Sequence, residues 1–280
     1  MNAVFAIIKL KYKILSLLSP RLAAKDALKL FQKPHNFKIR EREKEFLMHS
    51  EVCRLKHEPE DLIFYRKGNL EGKKVLMIHG WDSNPGSMAA IADQLIDQGY
   101  DIYAYNVPAH GISSEKRTNM LDVADKLVKA MKHLNGEKKL NIVTHSFGSG
   151  AISFALQKSK IEIDKAVFIT SPDKLIDIFK EFSDKIGMSK LAFLKMLQLT
   201  EQRFKLTFYQ MEVSKLLKES KINELLLIHD VDDKILPFRN AENIKNANKK
   251  IELHSTHGKG HYRILWDEEV IEKIGHFMEN

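Results

Sequence analysis

The apolar positions between residues 75 and 170 fall into short runs that alternate with longer amphipathic segments. The amphipathic segments lie at 87–97, 119–134 and from 146 onward, and their spacing favours helices. The apolar runs are Val75–His79, Ile102–Tyr105, Leu140–Thr144 and Ala166–Thr170. This repeated alternation predicts an α/β fold with a mostly parallel sheet that carries helices on both faces. In such sheets the chemistry lies at the carboxyl ends of the strands.

Short alternating runs precede this region, at 38–42, 52–56 and 62–66, and charged or proline-containing turns separate them. Alternation of apolar and polar positions is typical of antiparallel strands with one face in water. The sequence therefore predicts antiparallel strands at the start of the sheet. The apolar runs Leu225–His229 and Ile251–His254 predict its last strands, and a helical pattern at Asp267–Met278 closes the chain.

The first part of the chain, residues 1–35, carries two further helical patterns, at 4–18 and 21–32. The first has a wide apolar face, but its uninterrupted apolar run ends at Ile8, far short of the ~20 residues that span a bilayer. No basic residue precedes the apolar part, which argues against a cleaved signal peptide. Two interpretations remain: a helix lying in a membrane interface, or a helix docked on the body of the protein.

The alternation lapses after Ser171-Pro172. Amphipathic helical patterns rich in Leu, Met and Phe occupy 175–186, 189–199 and 213–219. We interpret 171–224 as a short helical lid inserted into a main domain at 36–280. The alternative is that these are additional core helices packed on the sheet.

Charge and composition indicate which partners and cofactors this chain is expected to bind. The formal net charge is +8, and residues 1–33 contribute +6 of it, with Asp26 as the only acid there. Because basic residues are not interleaved with aromatics across the rest of the chain, a nucleic-acid partner is not expected, whereas an anionic membrane surface could bind residues 1–33. The single cysteine, Cys53, excludes an intrachain disulfide and is compatible with a cytoplasmic protein, either free or peripheral on the membrane. The twelve histidines lack metal-ligand spacing, so neither a metal nor a cofactor is expected.

The candidate chemistry begins where the run 140–144 stops at His145-Ser146 and continues into Phe147-Gly148-Ser149-Gly150. This pattern predicts a strand, a sharp turn and a helix, with Ser146 lifted clear of the sheet as a nucleophile. A serine hydroxyl needs a histidine base that is oriented by a carboxylate.

Later strand ends supply both groups. The run Leu225–His229 leads into a turn with three aspartates, at 230, 232 and 233, and His261 lies in a glycine loop after the last strand. His254 falls within a predicted strand and His257 precedes the glycine loop, so structural or surface roles are expected for both. His79, His110 and His145 are interpreted as stabilising turns.

With these motifs the chain resembles the α/β-hydrolase superfamily over residues 70–280, in particular the branch of serine aminopeptidases and lysophospholipase-like esterases. The resemblance implies Ser146 as nucleophile, Asp233 as the acid, through the run Asp233-Lys-Ile-Leu-Pro237, and His261 as the base. It also implies an oxyanion hole formed by the backbone N–H groups of Trp81 and Phe147.

The sequence departs from the family pattern at two positions. Thr144 stands where the nucleophile motif has its first glycine, and Ala109 replaces a glycine in the run Pro108–Ser113.

The resemblance implies a serine hydrolase that cleaves a carboxylic ester, with lipid-like esters among the candidates, through an acyl-enzyme. The same residues would serve an amidase, a thioesterase or an aminopeptidase. A hydrolase-fold protein that binds a ligand or partner without turnover is the alternative from another class.

Overall fold

The structure, a computed structural model, describes residues 3–35, 39–58, 60–136 and 139–279. Lys38, the first residue of the predicted strand 38–42, lies outside these ranges. The chain divides into two compact units. The helical unit comprises Met1–Lys33 and Lys174–Glu212, and the sheet unit comprises Pro34–Asp173 and Val213–Asn280.

The sheet unit is built on an eight-stranded sheet with the order β1-β2-β4-β3-β5-β6-β7-β8. The first two strands pair antiparallel, β2 pairs antiparallel with β4, and all later neighbours are parallel. This arrangement confirms the predicted, mostly parallel sheet with antiparallel strands at its start. The strands are β1 (Glu51–Leu55), β2 (Leu62–Gly68), β3 (Lys74–Ile78), β4 (Asp101–Asn106), β5 (Leu140–His145), β6 (Glu162–Ile169), β7 (Lys221–Asp230) and β8 (Glu252–Thr256).

Helices connect and cover these strands. The helices of the sheet unit are α3 (Glu41–Met48), α4 (Ala89–Asp97), α5 (Met120–Leu134), α6 (Phe147–Ser159), α9 (Val213–Leu216), α10 (Arg239–Ala247), α11 (Gly260–Arg263) and α12 (Glu268–Glu279). Local sequence sets several of their ends. The Asn119 side chain, for example, accepts the N–H groups of Leu121 and Asp122 and so caps the start of α5.

The core forms because alternate strand residues point to opposite faces of the sheet. One set, which includes Met77, Val143 and Val167, packs in one buried cluster with the apolar faces of α4 and α12. The other set, which includes Ile78 and Phe168, is fully buried as well. Burial on both faces explains why the central strands are continuous apolar runs instead of alternating ones.

The predicted strand at 38–42 is wrong, because a helix, α3, begins at Glu41. The Glu43 carboxylate accepts the Arg40 N–H at 2.9 Å, which is one half of a capping box. Phe46 is the buried apolar anchor of the helix. The charged residues around Ile39 alternate as in a strand. The cap formed by Glu43 and the buried Phe46 instead favour a helix.

The helical unit consists of α1 (Ala3–Leu18), α2 (Pro20–Phe31), α7 (Leu175–Ile186) and α8 (Lys190–Phe204). Ser19 caps α2 and Pro20 occupies its first turn, where a missing N–H costs nothing. α2 packs along α8, and α1 packs on α2 and α7. The ring of Phe31 lies 4.6 Å from Phe179 and 4.9 Å from Phe182, so aromatic packing joins α2 to α7.

This pairing divides the predicted insertion 171–224 into two parts. Residues 174–212 pack with the N-terminal helices, while α9 packs against α6 and α10 of the sheet unit. A covering role for 174–212 stays a prediction. Among the described residues, none of the helices has the length and apolar character needed to cross a bilayer.

Candidate active site

Ser146 lies at the sharp turn between β5 and α6. Its backbone has φ 52° and ψ −115°, a conformation that costs a non-glycine residue free energy. The turn is held because the Ser146 N–H donates to the carbonyl of Ile169 at 2.9 Å. Ser146 is half-buried at this turn, so part of the residue is accessible to solvent.

Two glycines allow other backbone segments to approach this turn. A Cβ placed on Gly148 would collide with the carbonyl oxygen of Ile78, which is backbone and cannot move aside easily. A Cβ on Gly80 would lie 2.8 Å from Nδ1 of His145 and 3.3 Å from Cβ of Ser146. Gly80 therefore lets the turn that follows β3 lie directly against Ser146.

Thr144 occupies the position of the missing first glycine without strain. It is fully buried and lies in regular strand register between Ile78 and Phe168. Its hydroxyl is 2.7 Å from the hydroxyl of Ser149, one turn into α6. The position therefore requires only a small side chain whose polar atom finds a partner, and threonine meets both conditions.

The structure brings the three sequence-predicted side chains into one hydrogen-bonded chain. Nε2 of His261 lies 3.0 Å from Oγ of Ser146, and Nδ1 of His261 lies 2.7 Å from Oδ2 of Asp233. His261 and Asp233 are buried. Because a carboxylate only accepts hydrogen bonds, the imidazole proton belongs on Nδ1, and Nε2 is left to accept from the serine hydroxyl.

The second oxygen of the Asp233 carboxylate is held by its own turn. Oδ1 accepts the N–H groups of Ile235 at 2.7 Å and Leu236 at 2.9 Å. Burial alone would raise the pKa of Asp233, but the hydrogen bond from His261 and these backbone donors outweigh it. The pKa therefore lies below the usual aspartate value, and the group is ionised at neutral pH.

The other two aspartates of the turn are engaged elsewhere. Asp230 accepts the Thr256 hydroxyl at 2.8 Å and the Lys259 N–H at 2.9 Å, and Asp232 accepts the Gly258 N–H at 2.9 Å. Both carboxylates therefore shape the loop that carries His261. The two remaining candidate histidines lie apart from this chain of contacts, His254 in β8 and His257 exposed on the loop.

Comparison with known proteins identifies the family of the chain. The family model described as alpha/beta hydrolase fold matches residues 73–226, more than half of the chain. The chain belongs to the α/β-hydrolase family. No curated protein sequence matches it.

Solved structures with the same fold cover most of this chain. The esterase Pf2001 of Pyrococcus furiosus is 22% identical, with 88% of this chain and 98% of that one covered and a TM-score of 0.67. A structure from the study of carboxylesterases of Nitrososphaera gargenis is 19% identical, with 81% and 98% covered and a TM-score of 0.61. The bromoperoxidase of Bacillus anthracis is 18% identical, with 82% and 100% covered and a TM-score of 0.62.

In this α/β-hydrolase the two predicted oxyanion residues are neighbours. The rings of Trp81 and Phe147 are 5.1 Å apart, and Phe147 is the first residue of α6. Backbone N–H groups in the first turn of a helix have no partner within the helix and carry partial positive charge. Both features suit the Phe147 N–H to a developing negative charge beside Ser146.

A pair of buried histidines, His79 and His110, fixes the turn that carries Trp81, whereas their residue types and positions predict only that they stabilise turns. Nε2 of His110 accepts the Asp82 N–H at 3.1 Å, and its Nδ1 donates to the Pro108 carbonyl at 2.9 Å. Nε2 of His79 accepts the Val107 N–H at 3.2 Å. Burial lowers the pKa of both histidines, which therefore remain neutral and can accept these bonds.

Ala109, the second departure from the family pattern, adopts φ 65°. This is a left-handed backbone conformation, which explains why the family has glycine there. The Ala109 N–H donates to the Ser113 hydroxyl at 2.9 Å, a bond that holds the loop in this conformation.

His145 links the turn that carries Ser146 to the loop that carries His261. Its Nε2–H donates to the backbone carbonyl of His261 at 2.9 Å, and the two rings are 4.9 Å apart. Burial, assisted by the neighbouring His261, lowers the pKa of His145 to about 3, so the ring stays neutral. Its position directly before the nucleophile was the only sequence signal for this contact. Among the described residues, no three His, Cys, Asp or Glu side chains converge as a metal site.

Proposed function

We propose that this α/β-hydrolase is a serine hydrolase that cleaves a carboxylic ester through an acyl-enzyme intermediate. The observation that carries the proposal is the continuous chain of hydrogen bonds from Ser146 through His261 to Asp233, with distances of 3.0 and 2.7 Å. Both lie within the range needed for a nucleophile, its base and the group that orients the base.

In the first half-reaction Oγ of Ser146 attacks the ester carbonyl carbon while Nε2 of His261 takes the hydroxyl proton. The ionised Asp233 stabilises the imidazolium that forms and keeps it in the required orientation. The N–H groups of Trp81 and Phe147 stabilise the carbonyl oxygen as it becomes negative. His261 then gives its proton to the leaving alkoxide, and the alcohol departs.

In the second half-reaction water replaces the alcohol. Nε2 of His261 takes a proton from the water as its oxygen attacks the acyl-Ser146 carbonyl, and the same N–H groups hold the second oxyanion. Collapse of this intermediate returns the proton to Oγ of Ser146 and releases the carboxylic acid. No cofactor takes part, because nucleophile, base and oxyanion donors all belong to the chain.

An ester is the favoured substrate class because two of the similar solved structures are described as an esterase and as a carboxylesterase. Residues 174–212, which follow β6 in the chain, are rich in Leu, Met and Phe. We infer from this composition that they act as a lid that selects apolar acyl groups, as in a lipid-like ester.

Labelling with a fluorophosphonate probe tests the nucleophile, since only an activated serine forms the covalent adduct. We expect the wild-type protein to label and Ser146→Ala not to label. Ser159→Ala is the matched control, because Ser159 lies at the opposite end of α6 from Ser146, and this variant should label fully. Failure of the wild type to label would favour the non-catalytic binding protein, and labelling of Ser146→Ala would assign the nucleophile elsewhere.

The ester assignment is tested separately with p-nitrophenyl acetate and p-nitroacetanilide, which share the acetyl group. We expect hydrolysis of the ester and little or none of the anilide. Equal or faster release from the anilide would assign an amidase, even though Ser146 would still be labelled.

A further inference from the structure

One face of α1 is apolar and open to solvent. Its exposed side chains are between 49% and 83% accessible and recur at helical spacing. They are Val4, Ile7, Leu10, Ile14, Leu17 and Leu18, and we refer to them as the α1 stripe. Scattered exposed apolar residues are normal, but six on one face of a helix mark a surface with a partner.

The opposite face of α1 is already packed. Tyr12 is 1% exposed and Ser16 is 3% exposed. The Ser16 hydroxyl accepts the Ser189 N–H at 3.2 Å, at the start of α8. The helix is therefore docked within its own unit through one face, and the α1 stripe is not needed for that packing. The wide apolar pattern of α1 therefore has two parts: one face packs within the helical unit, and the other is free to bind a partner.

A basic row lies on the next helix. Arg21, Lys25 and Lys29 are spaced by four residues along α2 and are exposed. On α1 itself, Lys11 and Lys13 are exposed beside the stripe. Arg21 is three residues from Leu18, so the row begins next to the end of the α1 stripe.

The negative charge of α1 and α2 themselves is neutralised. Asp26 is the only acid within residues 1–33, and its carboxylate accepts from Lys11 at 2.5 Å and from the Tyr12 hydroxyl at 2.8 Å. Burial would raise the pKa of Asp26, but the hydrogen bonds from Lys11 and Tyr12 bring it below its usual value. The remaining basic side chains of α1 and α2 are left to face an external anion.

We propose that the α1 stripe and the basic row form a docking surface for an anionic phospholipid bilayer. The stripe would enter the boundary between headgroups and acyl chains, and the basic row would contact the negative headgroups. Charge complementarity selects this occupant over a second copy of the chain, because a symmetric contact through the stripe would bring two basic rows together. The proposal is independent of the reaction catalysed.

Vesicle co-sedimentation of the protein comprising residues 1–280 tests the proposal. The probes are vesicles of pure phosphatidylcholine and vesicles of phosphatidylcholine and phosphatidylserine in equimolar mixture. We expect binding to the mixed vesicles that weakens as salt rises, and much weaker binding to the neutral ones. Equal binding to both vesicles, or none to either, would overturn the proposal.

Two variants assign the binding to its parts. Neutralising the basic row (Arg21→Gln, Lys25→Gln, Lys29→Gln) should lower the affinity for mixed vesicles about a hundredfold, since each near-surface charge contributes about fivefold. Making the stripe polar (Ile7→Ser, Ile14→Ser, Leu17→Ser) should reduce binding to mixed vesicles to the level of neutral vesicles.

Matched controls change equally exposed residues of the sheet unit. Lys218, Lys249 and Lys250 replaced by glutamine should leave binding unchanged, as should Met48, Val52 and Leu70 replaced by serine. If these controls reduce binding as much as the variants of α1 and α2, binding is unspecific and the proposal fails.

Sedimentation velocity tests whether a second copy of the chain covers the α1 stripe instead. A dimeric wild type, a monomeric stripe variant and no vesicle binding by either would together show that it does. The lipid proposal would then be wrong. Circular dichroism shows whether each variant is folded. Because the row variant changes only exposed side chains, it keeps the test decisive should the stripe variant misfold.

Discussion

At the residue scale, the turn after β7 assigns different tasks to three neighbouring carboxylates. Asp233 faces the His261 ring, Asp230 holds the loop that approaches from β8, and Asp232 bonds to Gly258 at the exposed side of that loop. The difference comes from backbone direction, because the turn points each side chain to a different neighbour. Charge and sequence spacing are nearly the same for all three.

Replacing Asp233 by asparagine should lower turnover of a soluble ester on the order of 10⁴-fold, because the imidazole would adopt the wrong tautomer and its charged form would lose stabilisation. The measurement is kcat on a short p-nitrophenyl ester. Asp232→Asn, a change one residue away, is the matched control and should keep most of the turnover. If the two variants show the reverse order, the acid has been assigned to the wrong residue.

These residues differ in how far the sequence could predict them. Ser146 and His261 could be predicted because each is tied to a recognisable local pattern, a strand followed by small residues and a glycine loop. The choice of Asp233 among three aspartates rested on the family resemblance, since side-chain direction in a tight turn cannot be derived from residue types. The pair of His79 and His110 could not be predicted, because its bonds join two loops whose proximity depends on strand order.

At the element scale, the end of β7 and the loop after β8 are joined through Asp230. One oxygen of this carboxylate accepts both the Thr256 hydroxyl and the Lys259 N–H, and the other accepts the Asp232 N–H at 3.0 Å. Burial would raise the pKa of Asp230, but these donors outweigh it and hold the pKa below the usual value. The junction therefore depends on an ionised carboxylate.

Asp230→Asn should lower the free energy of unfolding at pH 7 by about 1–3 kcal/mol, because buried donors lose a charged acceptor. The folded-state pKa lies below the unfolded value of about 3.9, so the carboxylate stabilises the fold fully above about pH 4. This contribution is lost as the pH falls through the folded pKa. Urea unfolding at pH 7 and near pH 3 should therefore show a gap between wild type and variant that narrows in acid; a constant gap would contradict the prediction.

Most elements of the sheet unit could be predicted because their apolar pattern agreed with their local start and stop residues. The central strands are long apolar runs, and α5 combines an asparagine cap with a regular apolar face. The α3 helix could not be predicted from periodicity, since it has eight residues and only one buried apolar side chain, Phe46. An apolar helix face also does not indicate which element packs on it. The packing of α2 along α8 could therefore not be predicted from the sequence.

At the scale of the whole molecule, one of the two units is assembled from distant parts of the chain. Met1–Lys33 and Lys174–Glu212 form the helical unit, and the stretch 34–173 between them belongs entirely to the sheet unit. The contact between Phe31 and Phe179 is one of the links that close this unit. The helical unit can therefore form only when two segments that are far apart in the sequence pack together.

This discontinuity determines an order of events on the ribosome. Because synthesis proceeds from the N-terminal side at about 5–20 residues per second, α7 and α8 are made on the order of ten seconds after α1 and α2. During that interval Phe31 has no aromatic partner, and the two nascent helices expose apolar surface on both sides. Trypsin should therefore cut rapidly between Arg21 and Lys33 in a fragment that ends at residue 173, but slowly in the full chain; equal cutting rates would show that α1 and α2 are stable before their partners are made.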